Sequence, residues 1–157
     1  MTEEEFHKAI SKPEQIDAVN EIYFDVVKSS DFGENLYKLT EPQKTLYYLI
    51  IIDKEIYNGG FNQYFFNSGG DNAHEALNGF LEIGATKSAE IVKQAFDLWP
   101  NEIVPSDRFT RQDMLEDVEI YANDSWEKLD DEYWKDEDKL IEKIFQFILN
   151  NSSKFYH

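Results

Sequence analysis

Apolar residues recur along this chain at three- and four-residue steps almost from end to end, the spacing that one face of an α-helix requires. Ile16, Val19, Tyr23, Val26 and Val27 mark the first such stretch, with Pro13 at its opening turn. A polar loop, SSDFGENLYKL, follows. The second helix is announced by Thr40 as N-cap, Pro42 just inside and Gln43 at the capping-box position, and it stops at the pair Gly59 and Gly60. Every residue from Leu46 to Ile52 is apolar, which predicts a buried central helix near 41–57. Taken alone, YYLIII also reads as a strand; the flanking caps and the continuation into DKEIY favour helix.

The pattern continues in short units. Phe61 to Asn67 reads as a brief aromatic helix, and Asp71 or Asn72 caps the next, which carries Ala76, Leu77, Phe80 and Leu81 and closes at Gly84. Thr86 opens a helix with Ala89, Val92, Ala95, Phe96 and Trp99 that ends at Pro100, and a polar loop spans Asn101 to Phe109. Thr110 and Asp113 then open a helix with Met114, Leu115, Val118 and Tyr121. Trp126, Leu129 and Tyr133 mark a shorter one, and Leu140, Ile141, Ile144, Phe145 and Ile148 the last. No alternating strand pattern, hairpin dipeptide or internal repeat interrupts this series. The expected fold is all-α, a bundle of seven or eight helices. With 157 residues and 18.5 kDa, one domain over 1–157 is expected, since two would each have a thin core.

Composition changes the picture in one direction only. Against 15 bases stand 32 acids, a net charge of −17, yet aromatic residues make up 15% and argue for a packed core over disorder. The absence of cysteine excludes disulfides, thiolate metal sites and cysteine nucleophiles. The opening MTEEEFHKAISKPEQ has neither a basic nor an apolar targeting region, and the longest apolar run is far below the roughly 20 residues of a membrane span. Direct binding to nucleic acid or to an anionic membrane is disfavoured by the sign of the charge. A cytoplasmic location is expected.

The charge is concentrated. Residues 113–138 hold twelve acids and two bases, Lys128 and Lys135, a net −10. Within the expected helices Asp113, Glu116 and Asp117 share one face, and Asp124, Glu127 and Asp131 another. With Asp130, and with Tyr133 and Trp134 as aromatic anchors, these form the candidate contact set for a basic partner. The same run also fits a face that is merely solvated.

Recognisable chemistry is sparse. His74 begins H-E-A-L-N, but Asn78 stands where a zinc-binding helix needs its second histidine. His7 and His157 lie near the termini, and the run DDEYWKDED lacks the glycine and ligand spacing of a calcium loop. No metal and no cofactor is expected. The glycine clusters NGGF at 58–61 and NSGGDN at 67–72 have no base between Lys54 and Lys87 to complete a phosphate cradle, so they read as helix punctuation. Gln63 and Asn67, four apart, are expected to tie their amides to loop backbone while Phe61, Tyr64 and Phe65 fill the core. An enzymatic alternative would draw on Gln63, Asn67, Asp71 and His74.

The stretch EIYNGGFNQYFFNSGGD, from Glu55 to Asp71, followed by A-L-x-x-F-L-E-I-G-A, resembles a bacterial family of small helical proteins named after a DNA-mimic member. The likeness is specific over about 46–99. It continues more weakly through LDDEYW at 129–134 and the final helix, within an acidic C-terminal part at 110–151. The resemblance implies an all-α fold and, for some members, an acidic decoy that binds a DNA-binding regulator in place of DNA. Asn58, Gly59, Gly60, Phe61, Gln63, Tyr64, Phe65, Asn67 and Asp71 carry the resemblance and are nearly uncharged, so they speak for the fold, and any mimicry belongs to the acids elsewhere. Three readings stay open. The first is a non-catalytic acidic protein that binds a basic DNA-binding regulator. The second is a helical protein-binding or immunity-type module with a salt-insensitive partner, and the third is a small hydrolase-like enzyme. A homodimer is compatible with the aromatic content.

Overall fold

A computed structural model describes residues 1–157. Seven α-helices are joined by loops and four short 3-10 turns, and there is no strand, so the all-α expectation holds. The helices are α1 (Glu3–Ile10), α2 (Gln15–Ser29), α3 (Glu41–Phe66), α4 (Ala73–Glu82), α5 (Thr86–Phe96), α6 (Arg108–Trp134) and α7 (Leu140–Asn150). No helix is long and apolar enough to cross a membrane.

The chain forms two compact units, one of residues 1–47 and 139–157, the other of residues 48–138. In the first, α2 packs against both α1 and α7. Phe6 of α1 stacks on Phe155, and the terminal ammonium pairs with Asp25 at 2.8 Å. α1 lies before the first helix expected from the sequence, which begins at Ile16. Its signal is a capping box: Thr2 accepts from the Glu5 N–H and the Glu5 carboxylate accepts from the Thr2 N–H. Thr40 and Gln43 form the box expected at the start of α3.

In the second unit an aromatic cluster holds the helices together. The Phe65 ring lies 4.9 Å from that of Trp126, 5.2 Å from Trp99 and 5.8 Å from Phe96, and all four are fully buried or nearly so. None of residues 42–53 is exposed, in line with the buried central helix expected near 41–57. The expected stop at Gly59 and Gly60 proves to be a break inside one element. Gly60 takes φ 79° and ψ −176°, a conformation that is essentially glycine's alone, and the helix restarts at Phe61. The Asp130 carboxylate of α6 caps the restart, accepting from the Phe61 N–H at 2.8 Å, and it occupies the space where a Cβ on residue 60 would stand. A Gly60→Ala chain is therefore expected to lose about 3 kcal/mol of stability, from backbone strain and the displaced cap together. Urea unfolding reads this directly, and a loss under about 1 kcal/mol would refute the account.

Two further expectations need correction. The two helices expected at 110–121 and 126–133 are one, α6, because Ala122 and Trp126 both turn inward and bridge the polar run Asn123-Asp124-Ser125. Its N-cap is Asp107, which accepts from both the N–H and the hydroxyl of Thr110 at 2.8 Å, and Thr110 and Asp113 lie inside the helix. Of the two residues expected to cap α4, Asn72 takes the N-cap position, without a side-chain cap bond, while Arg108 and Arg111 take the Asp71 carboxylate.

Candidate protein-interaction surface

Continuity of α6 decides where its carboxylates point. Its buried residues, Arg111, Leu115, Val118, Ala122, Trp126, Asp130 and Tyr133, follow three- and four-residue steps along one side. At 100° per residue, Asp113, Glu116, Asp117, Asp124, Glu127 and Asp131 fall within an arc of about 100° on the opposite side. All six are exposed. The two separate faces expected from the sequence are thus one face, running about 27 Å from Asp113 to Asp131 at the helical rise. Six charges over that length are about 5.4 Å apart, roughly two-thirds of the axial charge density of a single DNA strand.

These carboxylates are uncommitted. The chain's ion pairs lie elsewhere, and Asp113, Glu116, Asp117, Asp124 and Asp131 accept no hydrogen bond from within the chain. Glu127 accepts only from Asn123, at 3.2 Å. Lys128 flanks the row without an ion pair. Ile120 sits in the middle of the acidic face and is 81% exposed. Ile120 is outside the expected contact set, although its place seven residues from both Asp113 and Glu127 aligns it with them.

Two members of the expected contact set do not belong to the surface. Asp130 is buried as the cap of Phe61, and Tyr133 is buried with its hydroxyl donating to Asp53 at 2.9 Å. Both lie on the inward side of α6, where a partner has no access. Trp134 stays half-exposed at the end of the helix, its indole N–H donating to the Ile56 carbonyl at 3.2 Å.

The buried carboxyls carry a pH signature. Burial pushes Asp53 up to about 6, with Asp136 reinforcing the shift and the Tyr133 hydroxyl and Lys54 opposing it. Burial likewise lifts Asp130 to about 6 against the Phe61 N–H, with Asp131 and Glu127 adding to the rise. A carboxyl with a raised folded-state pKa holds its proton more tightly folded than unfolded. Its contribution is complete below the unfolded value near 4 and is lost as pH climbs through about 6. Glu5, Asp31, Asp107 and Glu132 shift the other way, so their effect falls below that window. Urea midpoints are expected to fall between pH 4.5 and 6.5, and more shallowly in Asp53→Asn, which keeps the acceptor for Tyr133. Parallel slopes in the two chains would exclude Asp53 as a source.

The glycine-rich motif proves to be a socket for α6. Arg111, fully buried, donates to the carbonyls of Phe65 (2.6 Å), Asn67 (2.9 Å) and Pro105 (2.8 Å) and to the Asp71 carboxylate (2.6 Å). Gly70 makes the room, since a Cβ there would stand 2.7 Å from Arg111 Nε. The base that the glycine cluster lacks in sequence is supplied from some forty positions away. Gln63 and Asn67 do not tie to loop backbone as expected. Both side-chain amides donate to the Glu55 carboxylate, at 2.8 and 2.9 Å. His74 is exposed, and its Nε2 accepts from the Val104 N–H at 3.2 Å. The four residues of the enzymatic alternative are each engaged in holding the fold. No three His, Asp or Glu side chains converge as metal ligands.

A family model described as DMP19-like protein matches residues 37–151, a span that takes in both the glycine motif and the whole of α6. No curated protein and no solved structure matches the chain.

Proposed function

The chain belongs to the DMP19-like protein family, and from that membership we propose that it is a non-catalytic acidic interaction protein, a DNA mimic whose α6 face occupies the nucleic-acid site of a basic DNA-binding regulator. The observation that supports this most is the row of exposed carboxylates on α6, none of them held by a cation of the chain itself. Acidic residues that serve only solubility are ordinarily interspersed with bases. Between Asp113 and Asp131 Lys128 is the one base, and Lys135 lies just beyond the row, near Asp131. Lysines and arginines that meet phosphates on DNA would meet carboxylates here, at a spacing closer to one strand than to a duplex. A cytoplasmic setting goes with this reading.

Affinity capture from native lysate tests it. The immobilised chain is expected to retain a basic DNA-binding protein at low salt, to release it as salt rises, and to lose it to excess duplex DNA. Retention through high salt, or indifference to DNA, would instead favour a module that binds through apolar contacts. The family motif would then be informative about fold alone.

A further inference from the structure

At the N-terminal end of the acidic face the surface is concave. A groove of about 520 Å³ opens between the end of α3 and the start of α6, lined by Phe66, Phe109, Gln112, Asp113, Glu116 and Glu119 among others. Its two rings are exposed: Phe66 is 54% exposed and Phe109 82%, and neither packs against another aromatic ring. Its polar walls are held open. Gln112 donates to the Phe66 carbonyl at 2.7 Å, and Asn62 donates to Glu119 at 2.9 Å. Asp113 and Glu116 are left with no partner in the chain. Exposed aromatic faces beside unpaired carboxylates complement one kind of side chain, a planar cation that stacks on a ring and bonds a carboxylate at its edge. A lysine offers a point charge and a flexible stem, which this arrangement distinguishes less well.

We propose that this groove receives an arginine side chain of the basic partner, the guanidinium stacking on Phe66 and Phe109 and pairing with Asp113 and Glu116. The inference rests on the α6 face being the docking surface and adds what that surface discriminates. The row beyond Asp117 responds to positive charge in general, whereas the groove at its end selects arginine.

Two nonapeptides separate the terms, nine lysines and the same peptide with arginine at its centre, each titrated into the full chain. The arginine peptide is expected to bind roughly threefold to tenfold more tightly. Phe109→Ala, at a position 82% exposed, should weaken the arginine peptide more than the lysine peptide and so narrow that difference. Asp124→Lys with Asp131→Lys should weaken both peptides and preserve their ratio. Equal affinities in the parent chain, or an equal loss of both peptides in Phe109→Ala, would overturn the arginine groove and leave the acidic row standing. If the lysine peptide also fails to bind at low salt, the reading of the α6 face itself falls.

Discussion

Reversing three charges along α6, with Asp117→Lys, Asp124→Lys and Asp131→Lys in one chain, is expected to abolish capture of a basic DNA-binding partner while the far-ultraviolet spectrum and the unfolding midpoint stay close to those of the parent. The three residues are exposed and bond to nothing in the chain, so the fold has little to lose. Surface substitutions of this kind ordinarily change stability by no more than about 0.5 kcal/mol. Each reversal exchanges an attraction for a repulsion. Like charges brought together at an interface cost several kcal/mol, so a loss of at least roughly a hundredfold is expected. The salt dependence of whatever binding remains should flatten as well, because fewer cations are matched across the interface. A triple variant that binds as the parent does would remove α6 from consideration.

Arg111→Met is expected to show the reverse pattern, severe for stability and aimed at no partner. Methionine keeps much of the stem's bulk and removes the guanidinium, which leaves the carbonyls of Phe65, Asn67 and Pro105 without their donor and Asp71 without its buried cation. Breaking a buried pair from one side costs about 3–5 kcal/mol. Asp71 is a third exposed and Arg108 still pairs with it at 3.2 Å, so the lower part of that range is expected. Arg111→Lys should rescue little, since one ammonium cannot reach carbonyls on both sides of the socket. Denaturant unfolding of both variants gives the values. A loss below about 1 kcal/mol in Arg111→Met would mean that the socket closes without its key.

Much of this fold is legible in the chain because its signals are local. The Thr40 capping box, the apolar run from Leu46 to Ile52 and the halt at Gly59 and Gly60 each depend on a few adjacent residues, and each is where it was expected. What escaped depends on partners distant in sequence. The glycine cluster at 67–72 looks like punctuation until Arg111 arrives in it. Asp130 looks like one more surface acid until the Gly60 break presents a bare N–H to it. Asn123-Asp124-Ser125 has the composition of a helix end, and only the inward packing of Ala122 and Trp126 carries the helix through. The acidic stretch was thus found from its sequence, while its single face, its Ile120 and the exposed rings of Phe66 and Phe109 required the helix to be seen whole.

That unbroken passage through Asn123 to Ser125 has a consequence for selectivity. Two helices joined by a hinge would present charges whose separation could adjust to any basic surface, at an entropic cost on each encounter. One helix fixes the intervals before the partner arrives, and the ordering of the row is then part of folding rather than of binding. Such a row behaves as a ruler. If α6 is the docking face proposed above, it would favour partners whose cations repeat at the helix's own interval over equally basic proteins whose cations are out of step, and total charge alone would not decide which proteins it holds.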